Sequence, residues 1–169
     1  MVAPKPERLL AGRQCLIVLE QVLRAAEPLE GCALLLGQKQ GQCLVLQRIW
    51  PCCNRWEPAA ERRQRFQLDP REQLLAQRWG RERGLQVLGS AHSHPGSAAD
   101  PSRTDRALCL GPTLMMIRSG LPSEASSRAP EAEALLAPLR AWWLLEPDAE
   151  GLAPIQPLEL KLLPEQAAA

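Results

Sequence analysis

The chain has 169 residues, 46% hydrophobic and 23% charged, a length and balance that suit a single domain burying its own core. Basic and acidic residues number 20 and 19, for a formal charge of +1, so no field exists to recruit nucleic acid or an anionic membrane, and neither is expected as a partner. No stretch approaches the roughly 20 apolar residues of a membrane span, and residues 1–13 lack the apolar centre of a signal peptide, so the expected compartment is the reducing cytoplasm.

Residues 1–13 are proline-bearing and read as a flexible N-terminal segment. Over residues 14–26, Leu16, Leu19, Val22, Leu23 and Ala26 recur at helical spacing before Pro28 ends the run. Residues 31–36 form a continuous apolar strand, 37–41 a polar turn and 42–50 a second strand, together a hairpin. A loop rich in proline, arginine and glutamate covers 51–64, and a short strand is expected at 65–68. Asp69-Pro70-Arg71-Glu72 then has the form of a helix start, with Asp69 as N-cap, Pro70 at the first position and Glu72 closing a capping box. Leu74, Leu75 and Trp79 supply the expected buried stripe of that helix, and Gly84 its stop.

Residues 85–91 read as a buried strand running into His92, and 102–108 as a short helix. A strand at 113–117 is followed by an aperiodic loop, 119–133, expected to be mobile. Strands at 139–145 and 158–163 precede a C-terminal tail, 164–169. Trp142 and Trp143 must face opposite sides of their strand. This order predicts an α/β fold, a mixed β-sheet flanked by helices in a single domain over 14–163. Cys15, Cys32, Cys43 and Cys109 sit in apolar patterns as core residues, Cys52 and Cys53 lie in a loop, and the absence of a C-x-x-C pair argues against a structural zinc.

Both histidines of the chain, His92 and His94, lie two residues apart, a spacing that chance would give roughly once in a hundred chains. On a strand, residues i and i+2 share a face, so the two imidazoles project together as two thirds of a catalytic zinc site. Pro95 has no amide hydrogen for a ladder and turns the chain out of the strand. Asp100 and Asp105 are the next acidic candidates. Asp105 falls in the first turn of the 102–108 helix, where a carboxylate meets the positive end of the dipole. Two imidazoles and one carboxylate leave a fourth tetrahedral position open, as catalytic zinc sites do.

His92-Ser93-His94-Pro95, six further residues, then Ser102-x-x-Asp105 resembles the H-[ST]-H-P-x6-S-x-x-D signature of the JAMM (MPN+) zinc metallopeptidases, in the manner of their short bacterial and archaeal members. The stretch 28–37, with Glu30 and with Ala33 where glycine is usual, resembles that family's upstream glutamate motif, and Asn54 and residues 65–70 its middle. The resemblance implies the cytidine-deaminase-like MPN/JAMM fold. It also implies Zn2+ held by His92, His94 and Asp105, with Glu30 as general base and Ser102 as donor to the oxyanion. By itself Glu30 would read as an exposed charge before a strand, and Ser102-x-x-Asp105 as a helix cap.

The activity implied is hydrolysis of an amide bond in a ubiquitin-like protein or peptide, at the C-terminal tail of a protein of the sulfur-carrier type. The alternative is a non-catalytic MPN-type scaffold that binds a protein partner through the same fold. Scaffolds of that type usually lack one or more ligands, whereas here every ligand position is filled. Counting excludes other metal hydrolases: there is no H-E-x-x-H, and a binuclear barrel site needs more histidines than the chain has.

Overall fold

In the computed structural model, which describes residues 4–123 and 129–164, seven strands close on themselves in the order β1-β3-β2-β4-β5-β6-β7. They are β1 (Arg8–Ala11), β2 (Cys32–Gln40), β3 (Cys43–Cys52), β4 (Gln86–His94), β5 (Thr113–Ser119), β6 (Leu139–Leu144) and β7 (Ile155–Leu162). Four short helices accompany them: α1 (Arg13–Ala25), α2 (Pro70–Arg81), α3 (Arg103–Ala107) and α4 (Glu131–Leu136). The expected α/β fold, a mixed β-sheet flanked by helices, is therefore corrected to a closed mixed β-barrel with few helices.

The physical reason lies in β1. It pairs in parallel with β3 on one side and with β7 on the other, so four residues seal the sheet. Those residues fall within the segment 1–13 read as flexible, and that reading is corrected for 8–11. Leu9 and Ala11 are fully buried. Four residues are too few to display a period, and parallel pairing brings no adjacent turn to announce it. Leu9→Ala is expected to cost about 2–5 kcal/mol, because it leaves a cavity where the barrel closes. Denaturant unfolding measures it; a loss under about 0.5 kcal/mol would mean that β1 is not part of the cooperative unit.

Helix α1 buries Leu16, Leu19 and Leu23 among Leu35 of β2, Leu44 and Leu46 of β3, and Leu114 and Met116 of β5. Ala33 lies in the same cluster, fully buried. Arg118 of β5 fastens the helix, donating to both carboxylate oxygens of Glu20 at 2.6 and 2.9 Å and to Glu27 at 3.2 Å. Such a bidentate pair fixes geometry as well as charge.

The other face of β2 and β4 carries α2. The Asp69 cap is present, its side chain accepting from the Arg71 amide at 2.9 Å, but Glu72 accepts from Trp50 Nε1 at 2.7 Å. The expected Leu74 and Leu75 stripe is corrected: both are more than half exposed, while Ala76 and Gly80 are buried. Small residues win because the helix lies close on the sheet, and a Cβ on Gly80 would stand 3.1 Å from the Leu85 carbonyl oxygen. Gly84 turns the chain with φ +68°, a conformation that favours glycine.

Residues 65–68 form no strand, and β3 runs on to Cys52. Trp142 is buried with Ile117 and Leu144, whereas Trp143 packs against the α1 cluster. All six cysteines are free thiols. Within the expected mobile loop 119–133, residue 119 ends β5 and α4 begins at Glu131, while 124–128 lie outside the described residues, as do 1–3 and the tail beyond 164. No helix among the described residues is long and apolar enough to cross a membrane.

Candidate metal centre

Strand β4 brings the imidazoles together as period two requires, with His92 fully buried and His94 6% exposed. Their Nε2 atoms are 3.0 Å apart, and Asp105 Oδ2 lies 3.4 Å from the first and 3.6 Å from the second. Ligands held about 2.0–2.1 Å from a tetrahedral zinc are separated by roughly 3.3 Å, so these three atoms fit such an ion. The three side chains form a group that could hold a metal. Asp100 does not join them; it is exposed and paired with Arg140 at 2.5 Å.

Local sequence holds each side chain of the group. Ser102 caps α3, its hydroxyl accepting from the Asp105 amide at 3.1 Å while its own amide donates to Asp105 Oδ2 at 2.7 Å. The capping box thus fixes the oxygen that faces both histidines. The Ser102 hydroxyl accepts in this arrangement and keeps its hydrogen for donation.

His94 Nδ1 lies 2.7 Å from the Ala98 carbonyl, a contact that puts the proton on Nδ1 and leaves Nε2 free to ligate. The loop bearing Ala98 is tied to the end of β5, because Gly120 donates to the His94 carbonyl at 2.8 Å and Ser119 Oγ to the Ser97 carbonyl at 2.8 Å. A Cβ on Gly120 would stand 2.2 Å from the Pro95 carbonyl oxygen, so only glycine permits that approach.

His92 is held differently. Its Nδ1 is buried with no hydrogen-bond partner among the described residues, and its ring stacks on Phe66 at 4.2 Å and 20°. The chain's single phenylalanine, which the sequence reading did not assign to the site, positions this imidazole by packing. Its signal was present in the 65–70 segment, but a strand expectation at 65–68 hid it.

Glu30 precedes β2 and is 4% exposed, so the bland expectation of a solvated charge is overturned. Its Oε1 stands 4.0 Å from His94 Nε2, beside the triad. Asn54 secures its backbone: Nδ2 donates to the carbonyls of Glu30 at 3.0 Å and Arg65 at 2.8 Å, and Oδ1 accepts from the amides of Trp56 at 3.0 Å and Gln67 at 3.2 Å. One amide with all its hydrogen bonds satisfied joins the Glu30 segment to the segment carrying Phe66. Ser93, fully buried on the opposite face of β4, accepts from the Gly31 amide at 2.9 Å and so ties the ligand strand to the residue after Glu30.

Burial dominates the electrostatics. It pushes Glu30 up to about 7, against the lowering effect of His94 and with help from Asp105. It also lowers His92, despite the Asp105 carboxylate. Burial would raise Asp105, but the two imidazoles and the Ser102 amide hold it well below the usual carboxylate range. For His94 burial pulls down, and Asp105, the Ala98 carbonyl and Glu30 together raise it.

The raised Glu30 carboxyl makes a stability prediction for the metal-free protein. A carboxyl whose pKa is higher folded than unfolded stabilises fully below about 4.5 and loses that contribution as pH rises through about 7. Glu30→Gln in chelator should therefore gain, relative to wild type, on the order of 2–3 kcal/mol between pH 4.5 and 8. Parallel pH profiles of the two proteins in urea would sink this assignment.

A closed barrel with a buried His-His-carboxylate cluster and a neighbouring buried glutamate defines a protein built around a candidate metal centre. The chain belongs to the prokaryotic homologs of the JAB domain, whose family model matches residues 14–144. It is similar to a Desulfitobacterium hafniense protein of known solution structure, with 26% identity over 93% of this chain and 94% of that one and a TM-score of 0.70. It is similar also to a Salinibacter ruber protein of known solution structure, with 25% identity over 94% of each chain and a TM-score of 0.56. A comparison with curated proteins finds no match.

Proposed function

We propose that the chain is a zinc-dependent metallopeptidase or isopeptidase that hydrolyses an amide bond at the C-terminal tail of a ubiquitin-like protein of the sulfur-carrier type. One observation carries the reading: Glu30, ionising near neutral pH, is buried 4.0 Å from His94 beside a complete three-ligand cluster. A scaffold has no use for a desolvated carboxylate, which costs stability where it stands.

His92, His94 and Asp105 would hold a zinc ion, which would supply Lewis acidity toward the scissile carbonyl and toward a water. Glu30 takes the proton of the attacking water and returns it to the leaving amine, work that suits an acid titrating near 7. Ser102, its oxygen already fixed by the Asp105 amide, donates its hydroxyl hydrogen to the oxyanion as the carbonyl becomes tetrahedral. Phe66 and the burial of both imidazoles keep bulk water from the reacting groups.

The test pairs metal analysis with cleavage. Purified protein dialysed against zinc is expected to hold about one ion per chain and to cut a ubiquitin-like fusion after its terminal glycine. Protein that takes up zinc yet cleaves neither fusions nor generic peptides would favour the scaffold, and protein that stays metal-free while folded would remove both the ion and the mechanism.

A further inference from the structure

Of the three clustered side chains, Asp105 also borders a larger space, and Phe66, which stacks on His92, borders it too. A cleft of about 850 Å³, lined by Asp105 and Phe66, reaches across Leu34, Val87 and Met115 on the face of β2, β4 and β5 that α2 partly covers. That is toward the upper end of the roughly 300–1,000 Å³ of ligand pockets. Its walls are α2 on one side and the connection from α3 to β5 on the other.

The charges in the cleft are few. Arg65 and Asp105 are the only charged residues among those lining it. Asp105 faces the imidazoles and accepts from the Ser102 amide, while Arg65 pairs with Glu61 at 3.3 Å and lies 5.3 Å over the Trp56 ring. No carboxylate remains in the lining to receive a cation. A lysine or arginine side chain entering here would lose water beside another cation, and no residue of the lining offers it a free carboxylate.

Apolar surface, by contrast, stands ready. Leu108 is 56% and Leu110 98% exposed, and both lie on the cleft's α3–β5 wall. One exposed leucine is ordinary, but two on the rim of a cleft that reaches the ligand cluster form an apolar lip that another chain can cover. Backbone pairing with the neighbouring strand is closed off, since β4 is already paired to β2 and to β5. The main chain of an occupant must instead meet neutral side-chain amides, which Gln73 and Gln77 present from α2.

We infer that this cleft binds an extended, uncharged segment of a polypeptide substrate through an apolar side chain seated against Leu108 and Leu110, and rejects lysine or arginine at the same place. The inference deepens the metallopeptidase reading and rests on it only for the bond that is cut. Selection belongs to the cleft and can be read by binding alone.

The test uses two acetylated, amidated decapeptides of glycine and serine, one carrying two leucines and the other two lysines in their place. Fluorescence-labelled, they are titrated with zinc-treated, full-length Glu30→Gln protein at two salt concentrations, and the unlabelled pair serves as substrates for wild type. The leucine peptide is expected to bind on the order of tenfold or more tightly than the lysine peptide, at both salts. A Leu108→Glu, Leu110→Glu double substitution, its fold checked by thermal unfolding, should reverse that order, because it puts two carboxylates on a lip that carries only leucines.

Equal binding of the two peptides, no binding of either, or an order unchanged by the double substitution would overturn the inference. So would a dimer of the native chain that the double substitution dissolves, since a second copy would then be the occupant. If wild type hydrolyses nothing while the binding order and its reversal hold, the cleft assignment stands and the peptidase reading fails. If wild type hydrolyses both peptides equally well and binding shows no preference, the opposite conclusion follows.

Discussion

Glu30→Gln is expected to lower amide hydrolysis by about 10²–10⁴-fold while leaving zinc content at the wild-type level. Glutamine keeps the volume of the side chain, and its amide does not accept a proton from water at any pH of interest. The backbone of residue 30 is held independently, by its own amide donating to the Arg62 carbonyl at 2.7 Å and by Asn54 donating to its carbonyl, so the substitution leaves the chain path intact. Zinc content is preserved because the three ligand candidates are His92, His94 and Asp105.

Glu27 is the nearest acid in sequence, and its carboxylate is paired with Arg118, which faces α1 from the end of β5. Rate and metal content measured on the same samples decide the matter. Equal rates for wild type and Glu30→Gln would remove Glu30 from the proton path, whatever its burial.

The clustering of His92, His94 and Asp105 was legible because chemistry compresses it into sequence. Two histidines at strand spacing, a proline that ends the strand and a Ser-x-x-Asp cap are local patterns, and each survives folding as local geometry. Asp105 over Asp100 was legible for the same reason: capping fixes one carboxylate, while the other finds Arg140, 40 residues away, which no local pattern shows.

Closure of the barrel was not legible. It depends on Arg8–Ala11 meeting β3 and β7, contacts that span most of the chain and leave no mark on a four-residue segment. The stripe of α2 failed for a related reason. Leu74 and Leu75 are the larger residues, but the distance between helix and sheet decides which side faces inward, and Ala76 and Gly80 allow the closer approach. Phe66 and Asn54 act on the site through stacking and a four-way hydrogen-bond set, both set by tertiary structure alone.

The substitution with the second largest expected effect is His94→Ala, which should take zinc from about one ion per chain to near none and bring hydrolysis to background. Losing a partner that merely orients a ligand typically costs 10–100-fold in metal affinity, so losing the ligand itself should exceed that range. Among the described residues no other side chain is placed to replace it: Glu30 Oε1 stands 4.0 Å from the Nε2 that would be removed, on a segment pinned by Asn54 and Ser93. The fold should persist, since His94 ends β4 and its carbonyl, which receives the Gly120 amide, is untouched by the change. Zinc therefore supplies a readout independent of catalysis. An ion that binds only the folded state raises stability by about 2.7 kcal/mol at a free concentration 100 times its dissociation constant. Wild type should show that gain on zinc addition and His94→Ala should show none, with both folded in chelator. If zinc stabilises the two proteins equally, the ion binds elsewhere, and the triad of His92, His94 and Asp105 loses its role as ligands.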